Sequence, residues 1–169
     1  MDSAWKEIIW QQFGAAIDAL ENAMLACPEE LWSDRSEQPE FWYVAYHALF
    51  WLDLYLSDAA EGFVPPPPFT LSELDPTGLL PERVYTKTEL QTYLGHGRRK
   101  CRKTIGALTD EKAHQRFVFG SLDLYFGELI LYNMRHVQHH AGQLNLILRQ
   151  KLDSAPRWVR QTRSKLSDE

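Results

Sequence analysis

The segment Phe41-Trp42-Tyr43-Val44-Ala45-Tyr46-His47-Ala48-Leu49-Phe50-Trp51-Leu52 constrains the fold more than any other stretch. It is apolar nearly all round and too long for an ordinary strand, so it reads as a helix that is either central or shared with a partner subunit. Its expected span is Pro39 to Ala60, with Pro39 in the first turn, where a missing N–H costs nothing. Three further helical patterns surround it. Trp5, Ile9, Phe13, Ala16, Leu20 and Met24 place one apolar stripe on a helix from Ser3 to Ala26, and Pro28 blocks its continuation. A third helix starts near Thr86, where Thr86-Lys87-Thr88-Glu89 fits a capping box. Its stripe is Leu90, Leu94, Gly97, Cys101, Ile105 and Leu108, and its arginines and lysines read as a solvated face. The fourth helix is expected from Leu122 to Leu152. Gly62 to Tyr85 is a proline-rich linker in which Pro65 to Pro68 favours extended geometry, long enough to cross the end of a bundle. No segment reads as a strand ladder. The expectation is an all-α four-helix bundle over residues 1–152 with a long crossover between helices 2 and 3. A polar, basic tail follows over 153–169, pinned by Trp158.

At 169 residues the chain has the size of one domain. Its net charge of −5 argues against nucleic acid as a main partner. The charge is uneven: residues 1–90 carry 16 acids and 4 bases, residues 91–169 carry 7 acids and 14 bases. In a folded bundle the two halves are expected to neutralise each other. No apolar run approaches the ~20 residues that span a bilayer, so no membrane partner is expected. The opening Met1-Asp2-Ser3-Ala4-Trp5-Lys6-Glu7 has neither the basic start nor the apolar run of an export signal, so a cytoplasmic location is expected. Cys27 and Cys101 form no CxxC pair and are expected as free packing thiols.

Chemistry concentrates on the fourth helix. Its stripe runs Leu122, Phe126, Leu129, Asn133, His136, His140, Gln143, Ile147, apolar at both ends and polar at four successive central positions. Burying an unpaired polar group costs about 1–3 kcal/mol, so four in a row need a common cause. His136 and His140 stand one turn apart and can chelate one metal ion. His139 points about 100° away and is a second choice. His47, alone in the apolar second helix, is the third candidate ligand. Asn133 and Gln143 flank the ligands, placed to orient an imidazole, touch a substrate or make a buried interhelical hydrogen bond. Tyr43, Trp51 and Tyr132 line the mouth or belong to the core.

His136-Val137-Gln138-His139-His140-Ala141-Gly142-Gln143-Leu144 resembles the H-x-x-x-H-x-G-Q-L signature of the last helix of the DinB-like superfamily, and His47 falls where that family places its first ligand. The resemblance covers about residues 4 to 150. It implies a four-helix bundle, a divalent metal, often Zn or Ni, held by three side chains, and frequent homodimers. Characterised relatives include thiol-dependent transferases such as bacillithiol S-transferases, and a mycothiol-dependent isomerase that replaces one histidine by a carboxylate. The functional expectation is a metal-dependent, thiol S-transferase-like enzyme acting on small electrophiles with a low-molecular-weight thiol. The alternatives are a metal-dependent hydrolase and a non-enzymatic dimeric metal- or ligand-binding stress protein.

Overall fold

The computed structural model describes residues 1–36, 38–78 and 80–167. The chain is mostly helical. Long helices α1 (Ser3–Ala26), α3 (Phe41–Tyr55), α4 (Lys87–Ala107) and α6 (Phe126–Leu152) are joined by short helices α2 (Glu29–Trp32) and α5 (Asp110–Ala113) and by strands β1 (Arg116–Phe119) and β2 (Leu122–Tyr125). α1 and α3 each pack against both α4 and α6, so the four long helices close a ring around one core.

Each helix is defined by its chemistry. α1 begins at Asp2, whose carboxylate accepts from Ala4 N–H, and stops before Pro28. α4 carries the capping box: Thr86 accepts from Glu89 N–H and Glu89 accepts from Thr86 N–H. α3 is shorter than expected, starting two residues after Pro39 and ending at Tyr55. It is buried between α4 and α6 and under the following loop, with Trp42, Ala45, Tyr46, Ala48, Phe50, Leu52 and Leu54 wholly covered. Its apolar perimeter is therefore consumed inside one chain and supplies no argument for a second copy.

Two expectations are corrected here. The fourth helix starts at Phe126, not Leu122, because residues 116–125 form an antiparallel hairpin pairing Arg116 with Tyr125 and Phe119 with Leu122. The turn is Gly120-Ser121, with Gly120 at φ 58°, a left-handed conformation that glycine tolerates best. Nor does Trp158 pin the tail, since it is 72% exposed. The tail is held along α1 by Thr162 N–H to Gln11 O, Trp10 Nε1–H to Ser164 O and Gln12 Nε2–H to Arg160 O. Thr162, buried, lies on Gly14, where a Cβ would come within 2.6 Å of its methyl.

The basic face of α4 is more than solvated. Arg98 bridges Asp18 and Glu21 of α1, and Lys100 bonds Asp53 of α3, which is 0% exposed. Tyr93 and His96 also bond Asp53. Both cysteines are buried and free; burial pushes Cys27 up to about 12 and Cys101 well above the ordinary thiol range. Among the described residues no helix is long and apolar enough to cross a membrane.

Candidate metal centre

α6 presents two neighbouring faces. Val137, Ala141, Leu144 and Leu148 are fully buried, while the stripe running through His136, His140 and Gln143 lies half-buried, with the two histidine rings against His47 of α3. Three of the four expected polar positions thus sit at the edge of the core, while the fourth, Asn133, is fully buried. His47 projects from α3 onto the same spot, with ring centroids 5.3 Å from His136 and 4.7 Å from His140. One ring nitrogen from each of the three histidines lies within 4.8 Å of the other two.

The surrounding hydrogen bonds decide which nitrogens face inward. His47 Nδ1 is 2.6 Å from Glu73 Oε2, and a carboxylate oxygen accepts, so the neutral ring carries its proton on Nδ1 and presents Nε2 as its lone pair. His140 Nδ1 is 2.7 Å from Gln143 Oε1, which fixes the same tautomer. His140 Nε2 and His136 Nε2 stand 3.0 Å apart. His140 Nε2 being a lone pair, His136 must donate to it unless a cation lies between them. His136 Nδ1 is buried without a hydrogen bond. Burial, then repulsion from His140 and His47, brings His136 down to about 3. Burial and His47 bring His140 down to about 4, with the Gln143 bond pulling upward. Both rings are neutral at pH 7, the form in which imidazole binds a metal. Three convergent imidazoles, two of them bonded to outer partners through Nδ1, could hold one divalent metal ion.

Glu73 comes from a single 3-10 turn, Leu71–Leu74, inside the linker. Its side chain is only 3% exposed and also accepts from Trp51 Nε1 at 3.1 Å. The Tyr43 phenol is held above its usual range, first by burial and then by this carboxylate. No sequence signal marked Glu73, because its position depends on how the linker folds back over α3. The aromatic wall includes Tyr43 and Trp51 beside His47, Tyr55 beside His136, Tyr132 behind Tyr55, and Phe119 of the hairpin against Trp51.

The remaining candidates fall elsewhere. Asn133, fully buried, donates to Leu52 O at 3.0 Å and ties α6 to α3, while its Oδ1 is left without a hydrogen bond. His139 is exposed beside His140, and His114 bonds Asp110 O in the helical connection. An apolar cleft of about 290 Å³ lies next along α6, sharing Gln143 and lined by Leu31, Phe41 and Ile147. None of the three histidines lines it.

Neither a curated protein nor a solved structure matches the chain. A family model does, over residues 12–144, a span that holds all three histidines, Glu73 and Gln143. The ring of four long helices, the convergent imidazoles and this match lead to one assignment: the chain belongs to the DinB superfamily.

Proposed function

We propose that the protein is a DinB-like four-helix bundle, with the 56–86 connection as its crossover, that holds one divalent ion on Nε2 of His47, His136 and His140. We propose further that it acts as a thiol S-transferase on small electrophiles. The observation that carries the reading is the pair of outer bonds, Glu73 to His47 and Gln143 to His140, which turn two lone pairs toward the third ring. Outer bonds of this kind are what metal-ligating histidines make through the nitrogen turned away from the ion. Ligation by His136 Nε2 would put its proton on Nδ1, which is buried and has no hydrogen-bond partner. A divalent ion with three neutral ligands keeps its full charge, and supplies the means to deprotonate a bound thiol and hold the thiolate. The chain's part is to keep the imidazoles neutral and fixed, and to offer an aromatic wall to an apolar electrophile.

A second reading, a metal-dependent hydrolase, rests on Glu73 Oε1, which is buried and free of hydrogen bonds beside His47. A carboxylate oxygen so placed has the character of a general base for water.

The test is elemental analysis of the purified protein beside His136→Ala and His140→Ala, followed by turnover assays on the loaded protein. About one metal per chain, lost in both variants, with consumption of a thiol by a chloronitroaryl electrophile, is the expected result. Ester cleavage without thiol would favour the hydrolase. Absence of metal after reconstitution overturns both.

A further inference from the structure

The tail beyond α6 lies outside the family match, which ends at residue 144, and carries a surface of its own. From Ser154 to Ser167 it holds four cations, Arg157, Arg160, Arg163 and Lys165, and no acid. Its burial follows a period of three: Pro156 and Val159 are half-covered and Thr162 is buried, each followed by an exposed arginine. Arg157, Arg160 and Arg163 therefore recur every third residue along one surface, spanning at most about 20 Å at ~3.3 Å per residue. The bonds from Gln11, Gln12 and Trp10 hold this segment on α1, so the row is built rather than loose. Among the described residues no hydrogen bond or ion pair occupies the three guanidinium groups. They line one cleft of about 690 Å³ with Arg98, whose charge is already engaged by Asp18 and Glu21. Four arginines against two acids leave the cleft at +2. Trp158, 72% exposed, stands within the row and lines the same cleft.

We infer that this cleft binds phosphate groups attached to a planar base, as in a nucleotide or a short single strand of nucleic acid. Guanidinium forks match phosphate oxygens, and an uncovered indole beside them offers a stacking platform. Three cations lining one cleft suit a chain of phosphates better than one isolated anion. The net charge of −5 weighs against indiscriminate adhesion to nucleic acid over the whole surface, but not against a local cationic cleft.

The experiment uses the full-length protein and three probes: a fluorescent twelve-residue oligothymidine, ATP and inorganic tripolyphosphate, each titrated at 50 and 200 mM NaCl. Binding of the oligonucleotide or of ATP is expected, about 20-fold weaker at the higher salt for three strand-phosphate contacts. It should weaken at least tenfold in R157S/R160S/R163S and about tenfold in Trp158→Ala. Preference for the oligonucleotide identifies a strand as the ligand, and preference for ATP a free nucleotide. His136→Ala should bind as wild type, which separates this cleft from the histidine cluster. Among the described residues the three guanidinium groups make no bonds that hold the fold, and the Gln12 bond to Arg160 O is to the backbone, so the unfolding temperature should not move; if the triple variant fails to fold, Arg160→Ser alone carries the test. No binding of any probe at 50 mM NaCl overturns the inference. So does tripolyphosphate binding as tightly as ATP with no effect of Trp158→Ala, or loss of binding in His136→Ala.

Discussion

At the scale of single residues, the histidine cluster depends on a carboxylate that contributes no ligand atom in our reading. Glu73 fixes the proton of His47 and bonds Trp51 with the same oxygen. Glu73→Gln keeps the shape but loses the charge, and metal affinity should fall about 10–100-fold. Competition against a chromophoric chelator measures this, and an unchanged affinity would remove Glu73 from the site. The depressed histidines make a second prediction. His136 and His140, held down at about 3 and about 4 in the fold, return to 6.5 when the chain unfolds. As pH falls below 6.5 the unfolded chain takes up protons that the folded one refuses, so the metal-free protein loses stability from pH 6.5 toward 4. Thermal unfolding in chelator at pH 7.5 and 5 should show the drop, and it should shrink in H136L/H140L. His47, His136 and His140 were legible because polar residues interrupt apolar patterns at helical spacing. Glu73 was not, since it lies 26 positions from His47 in a segment without a period.

At the scale of elements, two close contacts set the packing. Gly14 lets the tail lie on α1, and a methyl there meets Thr162 at 2.6 Å. Gly14→Ala should cost about 1–3 kcal/mol or lift the tail. Hydrogen exchange of residues 157–166 against a denaturation midpoint distinguishes the two, and no change in either would contradict the packing. Between α3 and α4, Asp53 is 0% exposed and bonded by Lys100, Tyr93 and His96. Lys100→Met strands that carboxylate, at a cost on the order of 3 kcal/mol measured by urea unfolding. The four long helices could be read from apolar period and capping, α4 down to its capping box. The hairpin was missed although Gly120-Ser121 between alternating apolar residues is a turn signal. Leu122 also fits a helical stripe with Phe126, and strand pairing to Phe119 won.

At the scale of the whole molecule, the acidic first half and basic second half do meet, through Arg98 to Asp18 and Glu21, Lys100 to Asp53, and Lys112 to Asp58. Most of these groups are partly exposed, so screening them should matter little. Stability measured by urea at 0.05 and 0.5 M NaCl should differ by less than about 1 kcal/mol, and a larger loss would show that the charge asymmetry holds the fold together. Composition revealed the asymmetry but not which residues pair, because pairing is decided by helix neighbours. The tail's basic character was legible and its anchor was not: nothing local distinguishes Thr162, which needs Gly14 from 148 positions away.

The 3-10 turn that carries Glu73 belongs to a strap of irregular chain laid over α3 and held there by buried Phe63 and Phe69 and by Tyr46 O–H to Thr70 O. A single proteolytic nick near the exposed Val64 would leave the hydrogen bonds inside the four long helices in place while loosening the strap that holds Glu73 against His47. On the proposed metal reading, the protein would then look folded to circular dichroism and yet bind its ion more weakly. Metal retention thus becomes a gauge of backbone integrity in a segment that spectroscopy of the helices cannot see.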